Sequence, residues 1–97
     1  MAWLQVEVRP GDGVGGYSLF VDGVPATMGA GHRGKARCDG RCGDGSRHSL
    51  LYNFSGVSGA TLSIVLCCRG NEVCRVAGVR IGEGRGARAA GRQLFTL

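Results

Sequence analysis

Along the start of the chain Leu4, Val6 and Val8 alternate with Gln5, Glu7 and Arg9, the period-two pattern of a strand with one buried face. Pro10-Gly11-Asp12-Gly13 ends it. A second β-rich run, 17–22, closes on Asp22-Gly23, a two-residue hairpin signal; 24–28 then returns as a short strand in which Pro25 predicts a sheet edge. Further on His48, Leu50, Tyr52 and Phe54 alternate with Ser49, Leu51 and Asn53, and Ser55-Gly56-Val57-Ser58-Gly59 closes that strand. The run 60–68 is rich in β-branched residues and places Leu62, Ile64, Leu66 and Cys68 on one inner face. Arg69-Gly70-Asn71-Glu72 then turns the chain into 73–81, with Cys68 opposite Cys74 and Leu66 opposite Val76 in the register that best buries one face, or Cys67 opposite Cys74 in the other. A final strand covers 93–97, after a weak helical signal at 87–92.

About seven short strands separated by turn signals predict an all-β fold, a small antiparallel β-sandwich or alternatively a small β-barrel. The 97 residues allow one domain, 1–97. Between the strands, 29–46 has no apolar period and is dominated by glycine, arginine and aspartate, which predicts one long Gly-rich loop. Loops longer than about 12–15 residues with no structure of their own usually carry function or move.

Composition supports a folded chain: 43% of residues are hydrophobic and 20% charged, too apolar for disorder. The 19 glycines follow no Gly-X-Y period, which excludes collagen and implies many tight turns. The longest nearly apolar run, 57–68, is well short of a membrane-spanning helix, so no membrane partner is expected. Met1–Glu7 lacks the basic and apolar regions of a signal peptide, which predicts a cytoplasmic protein. In that setting Asn53-Phe54-Ser55 is a chance sequon.

The net charge of +5 comes almost wholly from arginine, with Lys35 the sole lysine. Arg33, Lys35, Arg37, Arg41 and Arg47 fall in or beside the long loop, and Arg85, Arg88 and Arg92 in the 82–92 segment. If the two segments share one end of the sandwich, they form a basic patch for an acidic partner. Trp3, Tyr17, Phe20, Tyr52, Phe54 and Phe95 all fall in predicted strands, where packing in the sheet is expected, so no base-stacking platform is anticipated.

Both histidines and two of the five cysteines lie in one stretch, His32, Cys38, Cys42 and His48. Thiolate and imidazole form the donor mixture zinc prefers, although this spacing departs from familiar zinc knuckles. Asp39-Gly40, Asp44-Gly45 and Ser46 offer oxygen donors to calcium, or simple turn chemistry. Cys67, Cys68 and Cys74 are expected to pack as small apolar residues. No helix N-terminus or nucleophile elbow accompanies a Cys42–His48 pair, so no enzyme is expected. The functional expectation is a binding module without a cofactor that recognises a protein, a glycan or another acidic ligand through 29–46 and 82–92. The alternatives are a zinc-stabilised module and a nucleic-acid-binding domain. A homo-oligomer that pairs exposed edges is a further expectation for so short a chain.

Overall fold

The computed structural model describes residues 1–82 and 87–97. The described residues form nine strands: β1 (Ala2–Pro10), β2 (Val14–Val21), β3 (Val24–Pro25), β4 (Thr27–Met28), β5 (Arg33–Cys38), β6 (Arg47–Gly56), β7 (Thr61–Cys68), β8 (Asn71–Arg80) and β9 (Arg88–Thr96). They build two sheets, β4-β5-β1-β7-β8 and β3-β2-β6-β9, and every pairing is antiparallel. The fold is an antiparallel β-sandwich. Among the described residues no helix is long and apolar enough to cross a membrane.

Period-two patterning selects the core. Leu4, Val6 and Val8 of β1, Leu62, Ile64, Leu66 and Cys68 of β7, and Leu50, Tyr52 and Phe54 of β6 all point inward and are buried. They meet Leu19 and Val21 from β2 and Phe95 from β9 in one continuous cluster. Interdigitating side chains from two inner faces are what hold a sandwich together. Pro25 lies in the edge strand β3, where its missing N–H costs no ladder bond.

Two tight turns fix the registers. Asp22 and Gly23 have φ of 49° and 80°, and Arg69 and Gly70 have φ of 50° and 81°. Two successive positive φ values match the right-handed twist of the flanking strands. The second turn uses only Arg69-Gly70, not the four residues expected, so Cys68 pairs with Asn71 and Cys67 with Glu72. A bulge at Val73 then brings Leu66 opposite Cys74 and Ile64 opposite Val76. Neither expected cysteine pairing forms, because the turn is too short, and the bulge inserts the one residue needed to return Cys74 and Val76 to the buried face.

The expected long loop is shorter than its composition implies. Residues 33–38 form β5, paired along β1 from Ala2↔Cys38 to Glu7↔Arg33, after a 3-10 turn at Ala30–His32. Only 39–46 remains as an irregular connection. The helical signal at 87–92 is likewise overridden: Arg88–Thr96 completes a ladder with β6.

Candidate metal centre

Three separate segments deliver donor atoms to one end of the sandwich. Cys38 is the last residue of β5, and its inward phase, shared with Ala36, buries it. His48 is the second residue of β6, in phase with Leu50, and is the one buried polar residue among those described. Asp22 sits in the β2–β3 turn, which the ladder places beside the start of β6: its N–H donates to the Ser49 carbonyl at 3.0 Å, and the Ser49 N–H donates to Asp22 Oδ1 at 2.9 Å. One carboxylate oxygen, the Cys38 Sγ and one imidazole nitrogen lie within 4.8 Å of one another.

The protons of this cluster can be assigned by donor count. His48 Nδ1 lies 2.6 Å from Asp22 Oδ2, and Nε2 lies 2.7 Å from Ser46 Oγ. Ser46 Oγ donates to Asp44 Oδ1 at 2.5 Å. An ionised carboxylate only accepts, so the Ser46 proton is committed to Asp44 and Ser46 Oγ must accept from Nε2–H. The Nε2 tautomer is thereby fixed by a serine and a second carboxylate, the outer-shell arrangement that orients a metal-binding histidine. What lies between Nδ1 and Asp22 is then a single proton. A cation that displaced it would meet a nitrogen lone pair, a carboxylate and, once Cys38 is deprotonated, a thiolate.

Electrostatics tune each donor differently. Burial works against the Asp22 carboxylate, but hydrogen bonds from His48 and Ser49 outweigh it and hold its pKa below the ordinary value. Burial, reinforced by the carboxylates of Asp22, Asp39 and Asp44, pushes the Cys38 thiol up, so a metal must displace its proton. Cys74 is raised to about 11, chiefly by burial; it remains a thiol and lies outside the donor set. The ring of Phe95 flanks His48 with centroids 5.6 Å apart. Asp22 and His48 also line an open cleft between β8 and β9, which gives the cluster access to solvent.

The sequence-predicted ligands divide. Cys38 and His48 meet. Cys42 instead forms a disulfide with Cys68, with Cα atoms 5.8 Å apart, so neither is an available thiolate, and the expectation of Cys68 as a simple packing residue is corrected. His32 lies with Tyr17, whose Oη is 2.8 Å from its Nδ1, and takes no part. Asp44 accepts from the Arg41 N–H, the Ser46 N–H and the Ser46 hydroxyl. Both its oxygens are thus engaged in turn chemistry. Asp22 was missed as a donor, and Ser46 was expected beside calcium and not beside His48. The Asp-Gly turn that signalled the hairpin also fixes where Asp22 must lie, beside the first residues of the strand next to β2.

The basic residues do not gather into one patch. Arg33, Lys35 and Arg37 project from β5 onto the outer face of the five-stranded sheet. Arg47 and Arg88, opposite Thr96 and Ser55, and Arg92, opposite Leu51, lie on the outer face of the other sheet. Arg41 is in the 39–46 connection, which is bonded to the chain end through Gly45 N–H to Leu97 O and Leu97 N–H to Ser46 O. Ala87 accepts from Gly56 N–H at the far end of β6, about 30 Å away along that strand. The 39–46 connection and Ala87 therefore lie at opposite ends of β6. Arg85 lies outside the described residues.

Comparison with protein-family models, with curated proteins and with solved structures finds no match for this chain.

Proposed function

We propose that this protein is a non-enzymatic β-sandwich module that holds a zinc-class divalent ion through Asp22, Cys38 and His48. The observation that carries the reading is the convergence of one oxygen, one sulfur and one nitrogen donor from three segments within 4.8 Å. A mixed thiolate, imidazole and carboxylate set suits a borderline ion such as Zn²⁺ and not the all-oxygen preference of Ca²⁺ or Mg²⁺. Tetrahedral zinc separates its ligands by roughly 3.3–3.7 Å, given bonds of about 2.0–2.3 Å. The Asp22–His48 contact of 2.6 Å must therefore open by less than about 1 Å, which a hairpin turn on an exposed carboxylate can accommodate. A fourth donor would be water or an anionic ligand entering through the cleft that Asp22 and His48 line.

Ser46, His48 and Asp22 also stand in the order of a hydrolytic relay, and the proton count argues against that use. The Ser46 hydroxyl is directed to Asp44 instead of His48, and the Ser46 N–H, a natural oxyanion donor, is turned onto Asp44 Oδ1.

Cobalt(II) titration tests the reading. One equivalent is expected to give visible d–d bands and a near-ultraviolet thiolate charge-transfer band, with zinc displacing both. Cys38→Ser should lose the charge-transfer band, and His48→Ala should weaken binding about 10–100-fold or more while the far-ultraviolet spectrum stays that of a sheet protein. No stoichiometric cobalt binding by folded protein, or a thiolate band that survives Cys38→Ser, contradicts it.

A further inference from the structure

The outer face of the five-stranded sheet carries a feature that strand membership alone hides. Trp3 lies in β1, but its phase is opposite to the buried Leu4, Val6 and Val8, and it is 53% exposed. The expectation that it packs inside the sheet is corrected. The register sets Trp3 beside Arg37, Gln5 beside Lys35 and Glu7 beside Arg33. Lys35 Nζ sits 5.1 Å from the Trp3 ring centroid.

Charge on this face is unbalanced. Glu7 is held by Arg9 and Glu72 by Arg75, whereas Arg33, Lys35 and Arg37 have no acidic partner among the described residues. These three project at alternate positions of one strand, so their stems are spaced about 6.6 Å apart, similar to successive phosphates of an extended polynucleotide. A flat aromatic at the edge of a cationic row on a sheet is the combination that sheet-based single-strand binders use: backbone neutralisation by the cations and stacking of a base on the ring. Gln5 adds an amide that can both donate to and accept from a base edge. Among the described residues this face offers no helix to a duplex groove, and the apolar side chains beside the row, apart from Trp3, are the half-buried Val65 and Cys67 opposite Glu7 and Gln5, fewer than the anchors a protein interface requires.

We propose that this face binds single-stranded nucleic acid, with Trp3 stacking on a base and Arg33, Lys35 and Arg37 contacting the backbone. Lys35 leaves the ring as the base arrives and passes to a phosphate. The proposal is independent of the metal centre, whose Cys38 points to the opposite side of the same sheet.

Trp3 is the only tryptophan, so its fluorescence reports the event directly. Titration with a short oligothymidylate should quench it to saturation, with log affinity falling by about 2 per decade of salt for three backbone contacts. By anisotropy of a labelled oligonucleotide, Trp3→Leu should weaken binding about 10–100-fold. Lys35→Glu with Arg37→Glu should abolish it, whereas Arg88→Glu with Arg92→Glu on the other sheet should leave it unchanged. Each substituted residue is exposed, and a retained melting temperature confirms folding. Absence of quenching, equal affinity for base-free polyphosphate, or equal affinity for duplex DNA overturns the proposal.

Discussion

The two ends of the sandwich are closed by different chemistry. At one end the seal is backbone and apolar: Gly11 N–H bonds Thr61 O at 2.8 Å, Val57 N–H bonds Gly13 O at 2.9 Å, and Gly59 and Ile81 donate to Ile81 O and Ala60 O at 2.9 Å each, over buried Ala60 and Ile81. At the other, backbone bonds from 39–46 to Leu97 are joined by side chains: the Cys42–Cys68 disulfide, the Asp44–Ser46–His48–Asp22 chain of hydrogen bonds, and the Cys38 thiol. Backbone closure depends on chain geometry and responds little to solution conditions. Side-chain closure responds to reductant and to protons, and it is the end at which the proposed ion would exchange for a proton while the sheets stay intact.

The largest expected separation between the ends comes from the disulfide. Opening it releases a cross-link across a sequence separation of 26 residues, worth about 3.5 kcal/mol in the chain-entropy account. Denaturant unfolding with and without a phosphine reductant should show that loss, and Cys42→Ser should make the midpoint insensitive to reductant. Such bonds persist where the surroundings are oxidising, so the same experiment measures what the protein would forfeit in a reducing compartment.

The opposite end breaks by geometry. A Cβ at Gly56 would run into the carbonyl oxygen of Gly13 and the Cα of Val14, both backbone atoms that cannot rotate aside. Gly56→Ala should cost about 1–3 kcal/mol, by the same amount with or without reductant and with or without zinc. A cost that changes with either would mean that the two ends are coupled.

The smallest effect is acidic. Hydrogen bonds from Ser46, with the Arg41 N–H, lower Asp44 from 3.8 to about 2. A carboxyl group depressed in the folded state stabilises it fully above the unfolded value near 3.8, and that contribution disappears as pH falls toward about 2. Asp44→Asn should flatten this limb of the pH–stability curve; an unchanged limb would remove Asp44 from the closure.

Much of this was legible in the sequence wherever side chains are large. Leu4, Val6 and Val8, the His48–Phe54 alternation and the Leu62–Cys68 face announce their strands because bulky apolar residues recur at period two. β5 was hidden because its inward residues are Gly34, Ala36 and Cys38, too small to stand out against the arginines between them. Trp3 was misplaced although the signal existed: its phase against Leu4, not its membership of a strand, decides which way it faces. In the metal cluster, Cys38 and His48 were visible as chemistry, whereas Asp22 joins them only across the β2–β6 ladder, a contact 26 residues long in sequence. The Cys42–Cys68 bond depends on the same long-range placement, and the Val73 bulge had no local sign in the chain.

X-ray absorption at the zinc edge of protein loaded with one equivalent addresses the central claim most directly. The account predicts one sulfur at about 2.3 Å with the remaining ligands nitrogen or oxygen at about 2.0–2.2 Å, at least one showing the outer-shell scattering of imidazole. Two or more sulfurs, no sulfur, or no bound zinc at one equivalent would contradict it.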